Sequence, residues 1–378
     1  MKYTEKNKIL TAPAVVFITL GILSAVIWRI SVQNAAAADF FTGTVSFVLR
    51  FILTKATYLL PFSLAEFLLF AAVPAAVWLL IRFILKIVRE KRGAKTKFFV
   101  FLGGIVKLFA FCGCIMFVFA FTFGVCYGKT AVNEKIGFER RLLCADDLAS
   151  AMEILISELT ALEEKISGAT PETGSTIMPY ELRELNSKLN EAYKNTLGEY
   201  DLFRYIKAAV KPVILSVQMS KMHITGIYVP FTGEANVNVD FPDYNLPFTA
   251  AHEMAHLMGV AREDEANFIA FLVCLHSGDD YIRYSGLANM AEYIGNALYK
   301  ADAEKYRGQM AGMPGFVINE MAAYSKFFDK YRNTEISKAA SAANNAYLKA
   351  QGQEEGVKSY GFVVDLSTVY LLDFYNKK

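Results

Sequence analysis

His252-Glu-Met-Ala-His-Leu-Met-Gly-Val-Ala-Arg-Glu-Asp-Glu-Ala-Asn267 is the stretch from which the rest of the chain is read. Its first five residues form an HExxH motif. The chain has only 4 histidines, and two of them stand here, one helical turn apart. On a helix that spacing sets both imidazoles on one face, within reach of a single Zn2+. Glu253 falls between them, where it can take a proton from water at the open coordination position. With so few histidines, a chance HExxH is roughly a one-in-several-hundred event. Metal chemistry is therefore read ahead of a helix whose histidines are merely structural.

A catalytic zinc takes three protein ligands and keeps one position open. One class of HExxH enzyme supplies a third histidine after the glycine, but that position is Arg262 here. Another class supplies a glutamate from the next helix. Gly259 lets the chain reverse, and Glu263 then opens a second helix facing the first. Glu263 is the expected third ligand, with Glu265 as the alternative two residues on. Asn267, one turn beyond Glu263, is placed to hydrogen-bond a ligand histidine. His223 and His276 are isolated and read as ordinary packed or surface residues.

Outward from this stretch, composition divides the chain. It has 378 residues, is 54% hydrophobic and 20% charged, and carries a net charge of only +2. That balance leaves no nucleic-acid footprint. The apolar excess lies in three runs at about residues 9–27, 62–85 and 99–125, each long enough to cross about 30 Å of hydrocarbon as a helix. Glu66 sits near one end of the second run, which points to an interfacial or packing role. Phe40 to Leu53 reads as a short helix lying at the membrane surface. Ala35 to Ala38 looks like a signal-peptidase site, but Arg29 interrupts the approach.

Lys and Arg set the orientation. Lys2, Lys6 and Lys8 precede the first run, and Lys86, Arg89, Lys91, Arg92, Lys95 and Lys97 join the second to the third. Both flanks belong in the cytoplasm. The N-terminus is then cytoplasmic, and everything after the third run is extracytoplasmic. The organisation expected is a multi-pass membrane domain over residues 1–127 and an outer metal-binding domain over 128–378. Cys112, Cys114, Cys126, Cys144 and Cys274 include no CxxC pair and read as single buried thiols.

In the outer part, residues 142–166 and 182–200 have helical periodicity. Residues 213–240 are rich in β-branched and aromatic side chains and suggest short strands with a turn at Thr232-Gly233. The motif helix is expected over 248–258 and its successor over 262–276. Within Tyr228 to Asn238, a strand rich in Asn and Val is a candidate sheet edge for holding an extended peptide. The simpler reading is a hairpin with a glycine turn. Val363 to Tyr375 reads as helix or strand.

Three N-terminal spans followed by YVPFTGEANVN, LPFTAAHEMAH, GVAREDEANF and SYGFVVDL resemble the bacterial membrane-protein family known as domain of unknown function 3810. That resemblance implies architecture and no activity. The segment after HExxH is also similar to the Glu-zincin peptidases, which implies an α+β zincin-like outer domain. The function expected is a membrane-anchored zinc-dependent metallopeptidase, working at a lipid bilayer on a peptide or protein substrate. A zinc-binding sensor or scaffold without catalysis, and a zinc amide hydrolase acting on cell-wall material, are the alternatives.

Overall fold

The apolar third of the chain folds, in a computed structural model that describes residues 10–166 and 175–375, into four long helical segments. These are α1 (Ala12–Gln33), α2 (Ala35–Thr57), α3 (Leu64–Val88) and α4 (Ala94–Thr122). All four are long and apolar enough to cross a membrane, where three were expected. The addition is α2, anticipated as a shorter surface helix over residues 40–53. Its sequence explains both its length and its placement. Thr42, Ser46, Arg50, Thr54 and Thr57 recur every three or four residues and are all buried, while Val48, Phe51 and Ile52 are exposed. α2 therefore turns a polar stripe to protein and an apolar stripe outward. A π-helical turn, Thr42–Ser46, keeps that stripe in line. α1 packs lengthwise on α4, with Gly21 against Gly113. Lys2, Lys6, Lys8 and the loop at 168–174 lie outside the described residues.

The remainder is mostly helical around one small sheet. After a short α5 (Val132–Ile136) come α6 (Ala145–Ile166) and α7 (Leu182–Glu199). Then follow β1 (Val210–Pro212), α8 (Ser216–Lys221), β2 (Gly226–Val229) and β3 (Glu234–Val237). The strand order is β1-β3-β2, with β3 parallel to β1 and antiparallel to β2. The Asn- and Val-bearing strand β3 is thus central and fully buried, not the edge. The edges are β1 and β2, and β2 is joined to β3 by the expected glycine turn, where Gly233 has φ +65°. The strand-rich stretch also holds helix α8, because Ser216 Oγ bonds back to Val213 O and forward to Val239 N.

Next come the motif helix α9 (Leu246–Leu257) and α10 (Glu263–Leu275). Helices α11 (Asp280–Ala301), α12 (Ala303–Met310), α13 (Gly315–Asp329) and α14 (Glu335–Ala350) lead to a 3-10 turn, Gly356–Phe362. The last helix is α15 (Val363–Asp373), which settles the ambiguous end of the chain as helix. α10 has every residue buried and is the axis of the core, touching α9, α11, α7 and α15. The five cysteines are free; only Cys126 and Cys274 are buried, so the expectation of buried thiols holds for two.

The division at residue 128 is crossed by a polar seam. Glu234 on β3 accepts from Leu64 N and Ala65 N, at 3.0 and 2.8 Å, and so caps the N-terminus of α3. Glu66 in the first turn of α3 accepts in return from Ile214 N and Leu215 N, at 2.9 and 2.7 Å. Lys211 pairs with Glu234 and donates to Thr57 O at 2.7 Å. Thr54 Oγ1 donates to Gly233 O at 3.1 Å. Glu66 therefore has a packing role, one of the two expected of it, and the far end of α3 carries the basic link.

Candidate metal centre

α9 begins with Pro247 in its first turn, where the missing N–H costs nothing. It packs on β3, β2 and α10, so all twelve of its residues are buried. Its C-terminus is finished by Gly259, whose φ of +90° suits glycine and returns the chain toward α10. Arg50 of α2 reaches across to this end. It is 1% exposed and donates to Leu257 O at 3.1 Å, Ser46 Oγ at 3.2 Å and Thr42 O at 3.2 Å. Lys129 donates to Gly259 O at 3.3 Å. Two cations thus stand at the negative end of the motif helix.

The reversal brings His252, His256 and Glu263 together, their ligand atoms all within 4.8 Å of one another. Glu263 Oε2 lies 3.2 Å from His252 Nε2 and 3.4 Å from His256 Nε2, without the alignment of a hydrogen bond. The other nitrogen of His256 is 2.7 Å from Val260 O. That contact fixes the ring and leaves Nε2 facing the cluster. Phe123, at the end of α4, packs edge-on against the same ring at 5.6 Å. Glu253 turns toward β2, where Gly226 leaves room for it: a Cβ there would stand 2.5 Å from Glu253 Oε1. The N–H of Tyr228 also bonds the Glu253 carboxylate.

The donor set suits a metal. Two imidazole nitrogens and a carboxylate oxygen converge, as Zn2+ requires of a three-ligand site. Buried polar atoms without partners are costly, yet His252 Nδ1, Glu253 Oε2 and Glu263 Oε2 are all left so. Burial pushes the Glu253 carboxyl up to about 7, against the pull of the two histidines. Burial also acts to lower His256, but the Glu263 charge outweighs it and holds the imidazole up at about 9. Glu263 itself is buried, yet the adjoining histidines keep its carboxyl well below the usual range. Tyr293, Tyr347 and Tyr360 stand around Glu263; burial raises each phenol, and the Glu263 charge adds to it, behind that of Glu292 at Tyr293.

Other expected residues fall elsewhere. Glu265 accepts from Val132 N at 2.8 Å and pairs with Arg262, so it is committed away from the cluster. Asn267 donates to Tyr293 Oη at 3.5 Å and not to a ligand histidine. His276 is packed between Tyr200 and Tyr370. His223 stacks on Phe328 with φ +56°. Sequence reasoning missed Arg50, Lys129 and Phe123, which brace the motif helix from the membrane side. It also passed over Tyr360, although the Ser-Tyr-Gly-Phe stretch around it had been singled out. The one available signal for Arg50 was an arginine placed on the polar stripe of an otherwise apolar helix.

The model of the family described as "Protein of unknown function (DUF3810)" matches residues 41–368. No curated protein and no solved structure matches the chain.

Proposed function

The chain belongs to the DUF3810 family, and from its buried cluster we propose a membrane-anchored, zinc-dependent metallopeptidase working outside the cytoplasm. The observation that carries this reading is the convergence of His252, His256 and Glu263 beside an unpaired Glu253 oxygen. The two histidines and Glu263 would hold the ion. Zinc, when bound, supplies Lewis acidity and makes water acidic near neutral pH. Glu253 is the general base: its carboxyl, raised to about 7 by burial, takes the proton from water and passes it to the leaving amine. His256, held through Nδ1 by Val260 O, keeps its ring from turning. The open edge of β2 beside Glu253 offers backbone groups to an extended peptide. On this reading the outer part is a zincin-like domain, a reading supported by the cluster's donor set.

Three membrane spans fit best: α1, α3 and α4. α2 starts where α1 ends, beside the outer part, and its last residue Thr57 donates to Thr232 O at 3.4 Å. α3 also starts on that side, through Glu66 and Glu234. A helix whose two ends lie on one side does not cross. α3 then carries the chain about 37 Å away over its 25 residues, to the basic link over 86–97. With that link in the cytoplasm, the metal cluster lies outside it.

One observation favours the non-catalytic zinc scaffold as a second reading. The four side chains are only 5–9% exposed, so the site is closed. Glu253→Gln in the full-length protein separates the two. A peptidase loses about 10²–10⁴-fold in turnover with zinc retained, measured on a peptide library in detergent micelles. A scaffold has no cleavage to lose.

A further inference from the structure

A second cavity, of about 200 Å³, opens between α11 and α13 and is walled by His223, Glu292, Tyr324 and Phe328. Neither the fold nor the proposed chemistry uses it. One of its lining residues is a carboxylate. Among the described residues, Glu292 makes no hydrogen bond and no ion pair, and burial pushes its carboxyl up. An uncompensated carboxylate in a half-buried position costs stability unless a cation completes it. The walls are aromatic: Tyr324 and Phe328 pack with centroids 4.8 Å apart, and His223 stacks on Phe328 at 5.2 Å. A carboxylate lining one cavity together with aromatic rings is the chemistry that recognises an ammonium or guanidinium group. Arg332, also at the cavity, is 59% exposed and already lies 3.0 Å from Asp329 Oδ1, so its charge is matched at the rim.

The cavity is connected to the His252–His256–Glu263 cluster through two short stretches of chain. His223 precedes Gly226 by three residues, at most about 11 Å of chain, and Gly226 abuts Glu253. Glu292 is followed by Tyr293, whose hydroxyl accepts from Asn267 one turn along α10 from Glu263. A peptide laid on the edge of β2 with its scissile bond at Glu253 would therefore extend toward this cavity.

We infer that the cavity is a specificity subsite for a positively charged side chain, lysine or arginine, of the peptide substrate. The inference rests on the peptidase reading and deepens it. Its test uses the full-length protein in detergent micelles and blocked peptides, N-acetylated and C-amidated, with lysine, norleucine or glutamate scanned along the sequence. At one position flanking the scissile bond, lysine peptides should exceed norleucine peptides in kcat/KM by about tenfold or more. Glu292→Gln should erase that preference, and a thermal melt matching wild type certifies its fold. Fluorescence anisotropy of labelled lysine and norleucine peptides, on wild type and Glu292→Gln, reads the same preference without any cleavage. Absence of cleavage with a lysine preference in binding would sink the peptidase and keep the subsite. Equal losses on both peptides in Glu292→Gln would overturn the subsite. So would a preference for glutamate peptides, or one that follows a free α-amine instead of the side chain.

Discussion

Lys211 and Glu234 lie buried at one end of the sheet, and His252, His256 and Glu263 lie buried beside the motif helix, yet the two groups are finished differently. At the sheet every charge is spoken for. Glu234 receives Lys211 and two backbone N–H groups, and Lys211 also meets Thr57 O. At the motif helix the same degree of burial leaves His252 Nδ1, Glu253 Oε2 and Glu263 Oε2 without hydrogen-bond partners, Glu263 having only its charge contacts to the two histidines. A satisfied buried cluster holds a fold together. An unsatisfied one is arranged for something that arrives later. The two are also linked, because Arg50 and Phe123 from the apolar helices touch the motif helix and its ligand.

The comparison breaks most visibly if the two regions can be parted. Expression of residues 128–378 without the apolar helices removes Arg50, Glu66 and the α3 terminus from their partners. The expected product has no cooperative thermal transition and weak zinc binding, read by calorimetry and metal analysis. A fragment that melts and binds zinc like the whole chain would make the seam incidental.

A smaller effect separates the satisfied cluster from the unsatisfied one. Lys211→Met strands Glu234 in the interior and should cost about 3–5 kcal/mol of stability. His252→Ala, in metal-free protein, should cost much less, because Glu263 keeps His256 beside it. Chemical denaturation of both variants in chelator makes the test. Equal losses would erase the distinction.

The smallest effect is in pH. His256 has its folded pKa raised to about 9, so in metal-free protein its ion pair with Glu263 contributes fully below the unfolded value. That contribution fades as pH rises through about 9. Zinc needs the neutral imidazole, so the opposite trend holds for binding. Apparent zinc affinity should rise by about tenfold per pH unit toward pH 9, one proton being released per ion. A flat profile between pH 6.5 and 9 would show that His256 is not held protonated by Glu263 in the metal-free site.

The clustering of His252, His256 and Glu263 was legible because it is local. The pair His252 and His256 is one helical turn, and Gly259 supplies the reversal that presents Glu263. Nothing beyond sixteen residues is needed. α9, α10 and the helices α6 and α7 follow from periodicity in the same way. The seam was not legible, because Glu234 and Leu64 are 170 positions apart and Glu66 and Ile214 are 148 apart. No period in the sequence joins such residues. α2 was underestimated because its polar stripe of Thr42, Ser46, Arg50, Thr54 and Thr57 reads as an interruption of apolar sequence until a protein surface is set against it. The sheet order escaped for a related reason: Val210 pairs with Ala235, across the whole of α8 and β2.

Metal analysis of the full-length protein, purified without chelator, bears most directly on the cluster as a zinc site. The expected result is one zinc per chain in wild type, in Glu253→Gln and in Glu265→Ala, with loss of the ion in His252→Ala, His256→Ala and Glu263→Ala. Zinc kept at full occupancy in either histidine variant, or lost from Glu265→Ala and kept by Glu263→Ala, would contradict it.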